Sequence, residues 1–196
     1  AYFRVLSGYG SVVIAAYTVG VRLLAFTWIP GIAFGAAAST LVGQALGAGR
    51  REAAVQVGWR ASHLSLLVAV LLGGTWAAMP HFFAGLFTED AALIDELVPF
   101  MITLALVQPA LQSHFALGGA HRGAGDTFTP FVAAAIGNWA FRVPLAFLFA
   151  HAFHAPVLWI WLVILGDHVA RAVWLAVSFA RGLDSRRSGI SRAPTR

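Results

Sequence analysis

The stretch LLAFTWIPGIAFGAAASTLVGQALGAG, residues 23–49, holds no Asp, Glu, Lys or Arg. A helix needs about 20 predominantly apolar residues to cross the hydrocarbon core of a bilayer, and this run exceeds that. The same absence of charge recurs over residues 61–88, 97–120, 127–141 and 143–166. Apolar residues make up 59% of the chain's 196 and charged residues 11%, and mean hydropathy is +0.78. A water-soluble domain of this size has too little interior to bury so much apolar surface. The chain is therefore read as all-α, a polytopic membrane helix bundle. Cysteine is absent, which excludes disulfides, thiolate metal sites and cysteine nucleophiles.

Local punctuation sets the element boundaries. Gly47-Ala48-Gly49 before Arg50-Arg51 closes one helix, and Met79-Pro80 breaks the next, leaving a short amphipathic piece to Phe87. Thr88 reads as an N-cap followed by Glu89 and Asp90 in a first turn that favours acids. Gly123-Ala124-Gly125-Asp126 is a tight loop, Thr129-Pro130 a cap with its first helical residue, and Ala155-Pro156 the start of the last helix. Five full transmembrane helices follow, at about 11–46, 53–79, 90–120, 129–151 and 156–181, with residues 1–9 as the stub of a sixth. The Arg-rich residues 184–196 read as a disordered tail. The chain opens Ala-Tyr-Phe-Arg, without Met or a signal segment, so residue 1 is not expected to be the translation start.

All thirteen basic residues are Arg, and the net charge is +5. Arg50, Arg51, Arg122, Arg181, Arg186, Arg187, Arg192 and Arg196 fall on one side of the five-span arrangement. The opposite loops hold Glu89, Asp90, Asp95, Glu96 and two histidines, with no Arg. This charge is topological rather than a nucleic-acid-binding face, and by the positive-inside rule the C-terminus is cytoplasmic.

Four polar pairs sit at i, i+4 inside apolar helices: Thr18/Arg22, Gln108/Gln112, Asn138/Arg142 and Asp167/Arg171. Residues four apart share a helix face, so each pair is a stripe that must avoid lipid. Two readings stand side by side: a wet cavity that binds polar substrate, or structural pairing, such as Arg142 or Arg171 with Asp167. Gly31, Gly35, Ser39, Gly43 and Gly47 form a ridge of small residues, which suits close helix packing in lipid. Pro30 should bend the same helix. Among the seven histidines no two are i, i+4 and HExxH is absent, so no metal site is expected. No nucleophile–base spacing or phosphate-binding glycine loop occurs either, and the chain is not read as an enzyme.

Three segments, in order, carry a resemblance. Residues 15–19 (AAYTV), Pro30 and residues 36–49 (AAASTLVGQALGAG) resemble a helix in the second lobe of the multidrug and toxic compound extrusion (MATE) family. His121-Arg122-Gly123-Ala124-Gly125-Asp126-Thr127 with Pro130 is similar to that family's LRGAGDTxxP loop, and Asn138-Trp139 with Arg142-Val143-Pro144-Leu145 to its NWxxRxPL helix. The resemblance implies a twelve-helix protein of two six-helix lobes that exports drugs or organic cations in exchange for Na⁺ or H⁺ by alternating access. Residues 1–183 would be its C-terminal lobe, from the end of helix 7 through helix 12, working with an N-terminal lobe in the cell (inner) membrane. No cofactor is implied beyond the coupling ion.

Tyr17, Thr18, Gln108, Gln112, Asn138 and Arg142 are then the candidates for the cavity wall. Two departures matter. Where some members carry a coupling carboxylate, this chain has Gln108-Pro109-Ala110-Leu111-Gln112, which moves the coupling acid outside this lobe. The family's AAHQ is Ala15-Ala16-Tyr17-Thr18 here, so a substrate-facing role transfers only loosely. A lipid-linked oligosaccharide or polysaccharide flippase is the rival within the same architecture, and a half-size membrane protein acting as a dimer is the rival outside it.

Overall fold

A computed structural model describes the backbone of residues 6–189 and the side chains of Leu6 and residues 8–182. After a 3₁₀ turn at Ser7–Tyr9, the helices are α1 Ser11–Gly47, α2 Arg51–Ala78, the short α3 Pro80–Gly85, α4 Ala91–Gly123, α5 Phe128–Ala152 and α6 Val157–Gly189. Five of these, all but α3, are long and apolar enough to cross a membrane. The chain is thus a multi-pass helical membrane bundle. α6 continues past the expected 181, so the first part of the segment read as a disordered tail is helical to Gly189. Residues 190–196 lie outside the described residues, as do residues 1–5 of the expected stub.

The helix ends follow from local chemistry, with two shifts from expectation. α1 and α4 both close with a glycine in the left-handed region, Gly49 (φ 71°) and Gly125 (φ 82°). In each case the glycine N–H bonds the carbonyl three residues back (Leu46, Arg122) and the next N–H reaches five back, Arg50 to Ala45 and Asp126 to His121. This double closure satisfies the last carbonyls and needs a residue without a Cβ penalty. The cap of α4 is Asp90, whose Oδ1 accepts from the Ala92 N–H at 3.0 Å, while Thr88 Oγ1 accepts from the Asp90 N–H. At α5 the helix begins at Phe128, and Asp126, not Thr129, supplies the capping oxygen, accepting from the Thr129 N–H at 2.9 Å. Met79-Pro80 does break the chain between α2 and α3, whereas α1 runs unbroken through Pro30.

α4 is the central element, packed against α1, α2 and α6. The small-residue ridge of α1 explains how closely. A Cβ on Gly119 would fall on the backbone of Gly35, one on Gly123 on the backbone of Ser39, and one on Gly35 would stand 2.8 Å from the Phe115 carbonyl oxygen. The ridge is thus a backbone-to-backbone seam, the way helices associate where lipid gives no hydrophobic drive. Toward one end the core gathers Phe100, Leu104, Ile160 and Trp161, and toward the other Leu117, Ala120, Leu175 and Phe179. Phe26, Ile29, Leu67, Leu71 and Trp139 point outward, the pattern of a bundle solvated by lipid.

α5 differs from the rest. It carries two π-helical segments, Ile136–Arg142 and Leu148–Ala152. The first lies directly before Pro144, whose ring lacks an N–H and crowds the carbonyl four residues back; a wider turn, with Val143 N–H bonded to the Asn138 carbonyl, accommodates it. Only 17% of its most apolar window is buried, against 44% for α4 and α6, so specific polar contacts must hold it in place.

Candidate functional site

Those contacts come from the polar pairs. Asp167 on α6 is fully buried. One turn on, Arg171 donates to it twice, Nε to Oδ1 at 2.7 Å and Nη2 to Oδ2 at 2.5 Å. From α5, Arg142 Nη2 reaches the same Oδ2 at 2.6 Å and lies 3.0 Å from His168 Nε2. Because a guanidinium only donates, His168 accepts there. Arg171 Nη2 also donates to Asn138 Oδ1 at 3.0 Å. Gly137 makes room: a Cβ there would collide with Arg171 Nε and Asp167 Oδ1. Two guanidiniums around one carboxylate bind α5 to α6 and leave a net positive charge. Of the expected wall residues, Asn138 and Arg142 are therefore members of this network, with Asn138 exposed and Arg142 half-buried at its edge. His168 is a member that sequence reasoning passed over, although it adjoins Asp167 in the chain.

Gln108 and Gln112 sit elsewhere. Both are fully buried between α4 and α1. Gln108 Nε2 donates to Thr27 Oγ1 at 3.2 Å, and Gln112 Nε2 to the Thr27 carbonyl at 2.6 Å. The Nε2 donors thus go to Thr27 and brace a helix contact, while both Oε1 atoms are buried with no hydrogen-bond partner among the described residues. Thr27 has a legible signal, since it extends the four-residue ridge of Gly31 and Gly35 by one step toward the N-terminus.

Tyr17 stacks on Trp161 (centroids 6.0 Å apart, 3° between planes) and Phe100 (5.9 Å), so it joins α1, α6 and α4. Thr18 returns its hydroxyl to the Ile14 carbonyl at 2.8 Å, within its own helix. Arg22 is exposed.

A cavity of ≈ 690 Å³ opens between α1, α4 and α5. Ile32, Phe115 and Phe131 supply apolar walls, and Ser39, Thr127 and Arg122 polar ones. None of the six expected residues lines it. At its rim, His121 Nδ1 is 3.0 Å from Asp126 Oδ2 and Nε2 is 3.1 Å from both Ser178 Oγ and the Leu175 carbonyl. Ser, His and Asp are the makings of a nucleophile relay, but Ser178 donates its proton to the Leu175 carbonyl at 3.2 Å. The set ties α4, its following loop and α6 together. Asp126, in that loop, is raised by burial and lowered more by hydrogen bonds from Thr129 and His121, so its carboxyl lies below the usual aspartate value.

The comparisons agree with this architecture. A "Probable multidrug resistance protein NorM" of Thermotoga maritima is 28% identical over 187 residues, covering 93% of this chain and 39% of the relative. "Multidrug resistance protein NorM" of Burkholderia vietnamiensis is 30% identical over 74% of this chain and 32% of its own length. The chain thus spans well under half of these curated relatives. Among solved structures, the eukaryotic MATE transporter AtDTX14 superposes with a TM-score of 0.80 at 23% identity, over 94% of this chain and 44% of that one. The Vibrio cholerae MATE transporter VcmN in its bent form gives 0.82 at 18% identity, over 93% and 41%. At such identities the structures speak for the fold alone. The model of the MatE family matches residues 2–148, a range that holds the α1 seam, the capped α4–α5 loop and α5 through its first π-helical segment, and the chain belongs to that family of transporters, which are not enzymes.

Proposed function

We propose that this chain is the C-terminal lobe of a secondary active transporter that exports drugs or organic cations in exchange for Na⁺ or H⁺. The observation that carries this is the match of the MatE family model to three quarters of the chain, over the helices that enclose the ≈ 690 Å³ cavity, a size suited to a drug-like molecule. The lobe sits in the cell (inner) membrane with its C-terminus cytoplasmic, and pairs with an N-terminal lobe of the same protein. Transport proceeds by alternating access, the lobes rocking about a central site. Tyr17, Asn138 and Arg142, which keep an accessible edge, belong to the wall facing that site; Gln108 and Gln112 act through the α1–α4 contact. Asp167, the fully buried carboxylate among the described residues, is neutralised by Arg142 and Arg171, which favours a coupling acid in the other lobe.

The test is reconstitution of the complete transporter in proteoliposomes, with efflux of a fluorescent organic cation followed under imposed Na⁺ or H⁺ gradients. Efflux that collapses when the driving gradient is dissipated is expected. Efflux indifferent to both gradients would overturn the antiport reading.

A further inference from the structure

The charge inside this lobe is unbalanced. Around the α5–α6 contact, Arg142 and Arg171 meet the single carboxylate of Asp167. The cavity between α1, α4 and α5 adds Arg122, with no acidic side chain among its described lining residues. Arg122 takes part in no ion pair or side-chain hydrogen bond among the described residues. Its guanidinium is nonetheless not splayed into the loop. Nη2 lies 3.5 Å from where a Cβ on Gly35 would stand, and Nη1 3.5 Å from one on Gly118, so two glycines of facing helices leave the slot it occupies. Gly35 is a dozen residues short of the end of α1 at Gly47, about 18 Å along the helix at 1.5 Å per residue. The guanidinium therefore reaches back from the end of α4 to the α1 backbone at Gly35, while Arg122 as a whole remains exposed. Phe115 and Phe131 stand on two walls around it, and Ser39, Thr40 and Thr127 bring hydroxyls to the same cavity.

An unpaired guanidinium, hydroxyl donors and aromatic walls make a complement to a planar acid on an aromatic body. Arg presents a rigid fork that a carboxylate or sulfonate engages through two bonds. We propose that this cavity binds the acidic group of an amphipathic aromatic substrate at Arg122, so that the lobe favours acids and zwitterions over permanent cations. The proposal rests on the transport reading above and narrows it: in a zwitterion, the cationic centre is met outside this lobe.

Two probes sharing one fluorophore test it, dansylglycine and a dansyl derivative bearing a quaternary ammonium, titrated by fluorescence into the purified complete transporter. The carboxylate should bind the wild-type protein more tightly. Arg122→Gln should weaken dansylglycine by roughly ten- to a hundredfold, the range of a lost charge-assisted hydrogen bond, and should tighten the cation by relieving repulsion. Arg122→Lys should fall between, keeping charge without the fork. Ala36→Asp, which places an acid on the α1 wall and leaves Arg122 intact, should reproduce the opposite shifts should Arg122→Gln not fold. Equal weakening of both probes, no change in either, or a wild-type preference for the cation would overturn the proposal. Binding is read separately from gradient-driven efflux, so selective binding without transport would sink the transport reading while leaving the site standing.

Discussion

Replacing Asp167 by Asn tests what holds α5 in the bundle. Asp167 accepts two bonds from Arg171 (2.7 and 2.5 Å) and one from Arg142 (2.6 Å) with none of its surface exposed. Removing its charge leaves two guanidiniums facing each other across the α5–α6 contact, and breaking a buried pair of this kind costs about 3–5 kcal/mol. Arg142→Met is milder. Asp167 keeps its two-point grip on Arg171, one charge-assisted bond is lost, and the Arg142 side chain is 21% exposed, so the loss should sit near 1–2 kcal/mol. Arg171→Met falls between, because Asp167 and Asn138 both lose a donor while Arg142 remains. Combining Asp167→Asn with Arg171→Met removes the carboxylate and one of the two guanidiniums it orphans, leaving the half-buried Arg142 as the one charge of the network, and should recover about 2 kcal/mol relative to additivity. The assay is unfolding of the purified complete protein in mixed micelles followed by circular dichroism, with hydrogen exchange across residues 128–152. Exchange should rise first in α5, which has little apolar burial of its own. An Arg142→Met variant as unstable as Asp167→Asn, or a double mutant that is additive within 0.5 kcal/mol, would refute the network as the anchor of α5.

Three further outcomes are expected. Cysteines placed at Ala48 and Ala124 should resist an impermeant thiol reagent applied outside the cell and one at Ala92 should react; the reverse pattern inverts the topology. Gly119→Leu should cut membrane yield sharply, because its side chain would meet the backbone of Gly35, which cannot yield as a side chain does, whereas Gly74→Leu, with open space around it, should accumulate normally; equal yields would remove the seam. Asp126 has a depressed carboxyl value, so its contribution is full above the ordinary aspartate pKa, about 3.9, and is lost as pH falls through the lower folded value. Asp126→Ala should flatten that acid-side loss of stability and weaken protection of the first turn of α5. An unchanged acid limb in thermal melts would deny Asp126 the role.

The amino-acid sequence by itself determined the class, the number of spans and most helix ends. These depend on neighbours along the chain: uncharged runs, Gly at a left-handed closure as in Gly49 and Gly125, and Pro80 as a breaker. The i, i+4 spacing likewise revealed which residues share a face, and so that Gln108 goes with Gln112 and Asp167 with Arg171. It could not say what each face meets. A glutamine pair looks the same whether it lines water or braces a neighbouring helix, and only the seating of α4 on α1 gave the amides to Thr27. The caps at Asp90 and Asp126 turned on shifts of two and three residues, set by which carboxylate reaches the free N–H. Arg122 read as an ordinary loop arginine of the positive side. Its guanidinium's place beside Gly35 and Gly118, reached from an exposed position near the end of α4, follows from two helices packed without side chains between them, a void that exists only once α1, α4 and α5 are assembled.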